Sequence, residues 1–220
     1  NGTFKSANYP LKLSPTQQHC LEHEVQELLK NRIIESIEDD NEPLLHIFAV
    51  GKNKNKLSIA SKLEKEGPID YASWRLVLDA RPINRITAGN GYLELPRSEE
   101  VISRISNSFV SIVDVKGAYW SIRMQPETAS RFRFRCAAKL YCFRRAVMGA
   151  KMSALWLAEA LGMALSQKLF NKFLRMKNQD TKMIIQEHLL IYCDDLAIFT
   201  DNLEDHFLVL EFVFWAFKET

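Results

Sequence analysis

Tyr192-Cys193-Asp194-Asp195 sets two adjacent carboxylates among apolar runs, with Ile184-Ile185 and Leu189-Leu190-Ile191 before them and Leu196-Ala197-Ile198-Phe199 after. Like charges in such surroundings are costly unless a cation neutralises them. Asp114 has the same setting, following Phe109-Val110-Ser111-Ile112-Val113 and preceding Val115-Lys116-Gly117-Ala118-Tyr119-Trp120. The flanking runs predict short buried strands with the acidic pair at a turn, so three acids can converge from neighbouring strands. Mg²⁺ takes oxygen ligands and shares its site with substrate phosphates, so carboxylates converging on a phosphate-binding surface point to two-metal phosphoryl transfer. Taken alone, an Asp pair between strands is the ordinary chemistry of a solvated turn. The rest of the chain has to separate the two.

The elements that must position these acids are legible on either side. Ser14-Pro15-Thr16-Gln17 is a helix start, and Leu21, Val25, Leu28 and Leu29 form the apolar face of a helix from 15 to about 31. Ile33 to Ile37 reads as extended, Leu44 to Val50 as a second apolar run, and Trp74 to Asp79 as a strand able to pair with it in a hairpin. Ser98 to Ile105 is a short amphipathic helix with acids in its first turn. Strands are predicted over 109–115, about 119–124, 131–137 and 140–147, then one long helix from Ser153 to about Met176, the acidic hairpin, and a last helix from Leu203. That order predicts an α+β protein whose helices cover one face of an antiparallel sheet.

Composition narrows the class. A length of 220 residues, 47% hydrophobic and 25% charged, can bury one substantial core or two joined subdomains. No apolar run approaches the roughly 20 residues that cross a bilayer, and Asn1-Gly2-Thr3-Phe4-Lys5 lacks a signal-peptide profile, so the chain reads as soluble and intracellular. Cysteines 20, 136, 142 and 193 have no C-x-x-C spacing and read as reduced, and His19 and His23 share a polar helix face without further zinc ligands. A net charge of +2 says little by itself, but Lys52, Lys54, Lys56, Lys62 and Lys65 cluster, as do Arg131, Arg133, Arg135, Lys139, Arg144, Arg145 and Lys151. Arg131-Phe132-Arg133-Phe134-Arg135 predicts a strand with phenylalanines on one face and arginines, Arg133 among them, on a nucleic-acid-facing one.

These motifs, in this order, resemble the reverse transcriptases of retroviruses and LTR retrotransposons. Asn8-Tyr9-Pro10-Leu11 and Ile33-Ile34-Glu35-Ser36 resemble the family's opening, and Trp74-Arg75-Leu76-Val77-Leu78-Asp79-Ala80-Arg81-Pro82-Ile83-Asn84 resembles its fingers motif. Val113-Asp114-Val115-Lys116-Gly117-Ala118-Tyr119-Trp120 is similar to the palm motif with the first metal-binding Asp, and Met148-Gly149-Ala150-Lys151-Met152-Ser153-Ala154 to the glycine motif before the palm helix. Tyr192-Cys193-Asp194-Asp195 falls where the family has Tyr-x-Asp-Asp.

The resemblance implies roles residue by residue. Asp114 and Asp194 hold two Mg²⁺ ions, with Mn²⁺ as a substitute, Asp195 supports them, and the Val115 carbonyl completes a coordination sphere. Lys116, Gly117 and Ala118 cradle the incoming triphosphate through main-chain amides. Tyr119 lies beneath the sugar and excludes a 2′-hydroxyl, which argues against an RNA-dependent RNA polymerase. Arg75 packs on the incoming base and reaches its triphosphate with Lys65 or Lys62 as partner, and Met148 also borders the nucleotide. Gly149, Lys151, Arg133 and Tyr192 face template and primer. Val147-Met148 and Ser153-Ala154 depart from the family's usual residues, which bears on nucleotide positioning more than on metal binding.

The implied architecture is the fingers (1–90 and 122–150) and palm (91–121 and 151–220) of a right-hand polymerase, ending before the thumb. The implied function is RNA- and DNA-directed DNA polymerisation by a retroelement Pol polyprotein, acting on primed template with dNTPs. Thumb, RNase H and integrase are expected downstream, no membrane is involved, and the location is the cytoplasm or a virus-like particle. The rival is a decayed or host-adopted remnant that binds nucleic acid without polymerising.

Overall fold

The computed structural model describes residues 11–38, 44–52, 69–87, 96–105, 108–192 and 194–219. The opening residues 8–10, Lys54, Lys56, Lys62, Lys65 and Cys193 lie outside them. Along the chain the described elements are α1 Pro15–Lys30, β1 Ile34–Ile37, β2 Ile47–Gly51, β3 Trp74–Leu78, α2 Arg81–Ile86, α3 Ser98–Ile105, β4 Phe109–Asp114, α4 Ala118–Ser121, α5 Pro126–Ala129, β5 Arg133–Cys136, β6 Lys139–Phe143, α6 Ser153–Ala164, α7 Gln167–Met176, α8 Ile185–His188, β7 Leu189–Tyr192, β8 Asp195–Thr200 and α9 Leu203–Glu219. They divide into two compact units, Asn1–Gly89 with Tyr119–Ser153, and Asn90–Ala118 with Ala154–Thr220.

In the first unit, α1 starts on a reciprocal cap. Gln17 N–H donates to Ser14 Oγ at 3.2 Å, and Ser14 N–H donates to Gln17 Oε1 at 3.0 Å. At the other end Arg32 takes φ +55°, and Ile33 N–H reaches back to the Leu28 carbonyl, turning the chain directly into β1. The sheet is antiparallel in the order β1-β6-β5. Its core is aromatic: the Phe134 ring lies 5.4 Å from Tyr141 and 5.2 Å from Phe143, and all three are buried. β2 and β3 form the expected hairpin, with Val50 opposite Arg75.

The second unit holds an antiparallel sheet in the order β4-β8-β7. Leu196 and Ile198 point from β8 into a core completed by Phe170, Phe173 and Leu174 of α7, Ile185 of α8, and Val209, Phe212, Val213 and Ala216 of α9. Phe170 meets Phe212 edge-on at 5.0 Å. Each such side chain contributes about 1.5–3 kcal/mol when removed from water, which fixes the sheet under its acidic end.

Four expectations change. The described strands form three sheets rather than one, so helices back a single sheet only within the second unit. Residues 118–121 are helical, because the chain turns at Gly117 instead of extending. The long helix breaks at Leu165-Ser166, where Ser166 adopts an extended N-cap conformation and Leu165 stays buried. Among the described strands β4 is an edge strand and not a buried one: Ile112 is 73% exposed, because in a period-2 strand it is Phe109, Ser111 and Val113 that turn toward the helices. Cys20, Cys136 and Cys142 are free thiols, and burial pushes Cys136 up to about 11. Among the described residues no helix is long and apolar enough to cross a membrane.

Candidate active site

Strand register brings the acids together. β4 and β8 pair so that Asp114 stands opposite Asp195, and β7 pairs so that Tyr192 stands opposite Asp195 on its other side. Val115 N–H donates to the Asp194 carbonyl at 3.3 Å, tying the end of β4 to the β7–β8 turn. Because neighbours across an antiparallel pair share a face, Asp114, Asp195 and Tyr192 form one row at the end of the sheet, with Ile112, Ala197 and Leu190 as the next. Asp114, Asp195 and Tyr192 are exposed and Asp194 is half-buried.

Two carboxylates opposite each other repel, and a hard divalent cation is the group that suits such oxygen donors. Mg²⁺ commonly binds through one or two carboxylates and completes its shell with substrate phosphates. Among the described residues no three His, Cys, Asp or Glu side chains form a ready ligand cluster. Asp114 and Asp195 face each other, while Asp194 meets Val115 through its main chain.

Immediately after β4 the chain makes a tight turn. Ala118 N–H donates to the Val115 carbonyl at 3.0 Å, and Gly117 takes φ +67°, a conformation side chains resist. Lys116 and Gly117 are exposed, whereas Ala118 is buried with its N–H closing the turn on Val115. Tyr119 is half-buried, and its carbonyl accepts from Ile122 N–H at 3.2 Å.

Arg75, Met148, Gly149 and Lys151 belong to the first unit, and all four are exposed. Gly149 has φ +90° and open space where a Cβ would sit, so its need is conformational and not steric. Arg133 departs from its expected role. It is only 4% exposed, because both faces of β5 are covered around it, and a buried guanidinium cannot meet a template phosphate. Arg131 and Arg135 are the exposed members of that series. Lys65 lies outside the described residues.

One residue escaped the sequence reading. The Asn84 side chain donates to the Gly149 carbonyl and accepts from Lys151 N–H, both at 2.8 Å. It is presented by α2, whose start is fixed by Asp79: Arg81 N–H, Nε and Nη2 reach the Asp79 carboxylate at 3.1, 2.8 and 2.7 Å. The Arg81 hydrogen bonds hold the Asp79 carboxyl below its ordinary value. Asp two residues before Arg-Pro was a legible helix start, with the proline in the first turn. The partner of Asn84, some 65 residues away, was not.

Residues 63–220 match the reverse transcriptase (RNA-dependent DNA polymerase) family, and the chain belongs to it. It is 25% identical over 215 residues to the retrovirus-related Pol polyprotein from transposon 297 of Drosophila melanogaster, covering 97% of this chain and 17% of that protein. Over 200 residues it is 20% identical to the enzymatic polyprotein of cauliflower mosaic virus strain NY8153, covering 90% of this chain and 25% of that one. The native protease–reverse transcriptase of prototype foamy virus shares the fold, with a TM-score of 0.66 at 17% identity over 99% of this chain and 24% of that structure. The chain thus spans 17% to 25% of the length of these curated relatives.

Proposed function

We propose that this chain is the catalytic part of an RNA- and DNA-directed DNA polymerase of a retroelement Pol polyprotein, extending a primer by nucleotidyl transfer. The observation that carries the reading is the register that sets Asp114 against Asp195 and Val115 against Asp194 at the open end of a sheet, in a chain of the reverse transcriptase family. The first unit serves as fingers and the second as palm.

Asp114 and Asp194 hold the metal, with Asp195 and the Val115 carbonyl in support. When bound, two Mg²⁺ ions, or Mn²⁺, neutralise charge on the entering and leaving oxygens of an in-line displacement. The amides of Lys116 and Gly117 bind the triphosphate beside the turn that Ala118 N–H closes on Val115, and the Arg75 guanidinium adds a planar two-pronged contact to it. Tyr119 closes the space a 2′-hydroxyl would need. Met148 and Gly149 border the nascent pair, while Lys151, Tyr192, Arg131 and Arg135 bind template and primer without reading sequence. Exposed acids on a sheet end suit a polymer substrate that must pass across them. The remaining Pol domains supply further grip on the duplex.

Primer extension on poly(rA)–oligo(dT) with Mg²⁺ or Mn²⁺ tests the reading. The expected result is dTTP incorporation that Asp194→Asn lowers by at least about a thousandfold, roughly 4 kcal/mol at the barrier. Retained RNA binding with no incorporation above that variant would instead favour a binding remnant, and preferential use of UTP an RNA polymerase.

A further inference from the structure

We infer that Asn84 is a positioning residue for nucleotide selection, acting through the turn Val147–Lys151, which it fastens from outside. The inference rests on the polymerase reading, which puts Met148 and Gly149 at the nascent base pair.

The geometry is specific to an asparagine. One carboxamide spans Ala150, accepting from Lys151 N–H and donating to the Gly149 carbonyl at the same 2.8 Å. An N–H can only donate and a main-chain carbonyl can only accept, so the orientation of the amide is forced by its partners. The carboxamide does for this turn what a neighbouring strand does for a sheet edge. Aspartate could still accept from Lys151 N–H but could not donate to Gly149, and alanine could do neither. Glutamine would add a methylene between two fixed ends.

Both ends of the fastening are anchored. Asn84 sits in α2, where Ala80 and Ile83 are buried and the Asp79–Arg81 pair fixes the first turn. Asn84 N–H itself donates to the Ala80 carbonyl at 2.9 Å. On the other side, Val147 and Ala150 are buried while Met148 is 64% exposed, so the turn is pinned at its feet and its crown projects outward. Val147 and Ala150 are joined by only a long 3.4 Å main-chain bond. Gly149 takes φ +90° with no neighbour within 4 Å of a Cβ position, so this side of the crown faces open space. The Asn84 amide fastens that crown from a separate stretch of the chain, on both sides of Ala150.

Loss of this contact should therefore alter how well a nucleotide is seated and leave the acids alone. The test compares the full chain with Asn84→Ala and Asn84→Asp in two measurements. Amide hydrogen exchange at Lys151 reports the contact whether or not the protein polymerises. It should quicken about tenfold in Asn84→Ala, the loss of a net hydrogen bond or two, and much less in Asn84→Asp, which keeps the acceptor. In primer extension, Asn84→Ala should raise the KM for dTTP about tenfold and increase misinsertion, with kcat within about threefold, and Asn84→Asp should fall between.

Unchanged exchange at Lys151 in Asn84→Ala would overturn the contact. Quickened exchange with unchanged KM and misinsertion would overturn positioning. An equal fall in kcat at every nucleotide together with a lowered Tm would reduce Asn84 to a structural residue and overturn it as well. A wild-type chain with no more incorporation than Asp194→Asn would overturn the polymerase reading and the kinetic half of this one, and exchange at Lys151 would still decide the contact.

Discussion

At the acidic turn of the second unit, main-chain pairing sets every residue that matters: Asp195 lies between Asp114 and Tyr192, and Val115 N–H meets the Asp194 carbonyl. At the Gly149 turn of the first unit a side-chain amide, that of Asn84, joins the main-chain bonds in that task. A ladder of peptide groups survives replacement of the side chains it carries, whereas a turn fastened by a carboxamide is exposed to a single substitution there. On the proposed function, chemistry that depends on carboxylates is mounted on backbone, and the turn that seats the nucleotide is fastened by a side chain.

The largest effect should come from the acids themselves. Asp114→Asn and Asp194→Asn should each lower incorporation by at least about a thousandfold while far-ultraviolet circular dichroism stays unchanged and Tm does not fall. A Tm fall of several degrees in either variant would break the comparison, since the turn would then depend on its side chains. Next comes the floor beneath the ladder. Phe212→Ala should cost roughly 3–5 kcal/mol in urea unfolding, because Phe212 is fully buried between Phe170 and Trp215 and leaves a cavity under β8. A cost below about 1 kcal/mol would mean that the sheet stands without its helices.

This division also explains what could be read from residues alone. The capped start of α1, the β2–β3 hairpin and the three acids are written in local signals: a Ser-x-x-Gln box, alternating apolar residues, and charges where the pattern forbids them. Arg133 was misread because alternation reports that Phe132 and Phe134 share a face, and says nothing of whether the opposite face is covered. The same limit applies to β4, whose apolar run lies at a sheet edge with Ile112 open to water. Asn84 was invisible because its partners lie in another stretch of sequence, and an asparagine after Pro-Ile carries no mark of a distant carbonyl.

A smaller effect should appear with pH. His206 of α9 reaches both strands that carry the acids, with Nδ1 2.9 Å from Thr200 Oγ1 and Nε2 2.8 Å from Ser111 Oγ. Thr200 spends its hydroxyl proton on the Asn202 carbonyl at 3.0 Å, so it accepts from Nδ1–H, and Nε2 accepts from Ser111. Burial pushes the imidazole below its ordinary 6.5. The unfolded chain then binds the extra proton first as pH falls. The stability His206 contributes is complete above 6.5 and is lost as pH drops from there through the folded value. Tm should fall across that window, and His206→Gln should flatten the slope. An equal slope in the variant would assign the acid sensitivity elsewhere.

The smallest effect has the opposite sign and bears most directly on the carboxylate pair. Asp114 and Asp195 are directly opposed, and like charges across a strand pair cost up to about 1 kcal/mol, less here because both are exposed to solvent. Asp195→Asn should therefore raise Tm slightly, by about a degree at low ionic strength, and the gain should shrink as salt screens the pair. Mg²⁺ should raise the Tm of the wild type by relieving the same repulsion, and raise that of Asp195→Asn less. If Asp195→Asn lowered Tm and Mg²⁺ shifted both proteins equally, the carboxylate would be a structural contact of the turn. A gain on removing Asp195, set beside the loosening expected on removing Asn84, would separate a residue kept for chemistry from one kept for geometry.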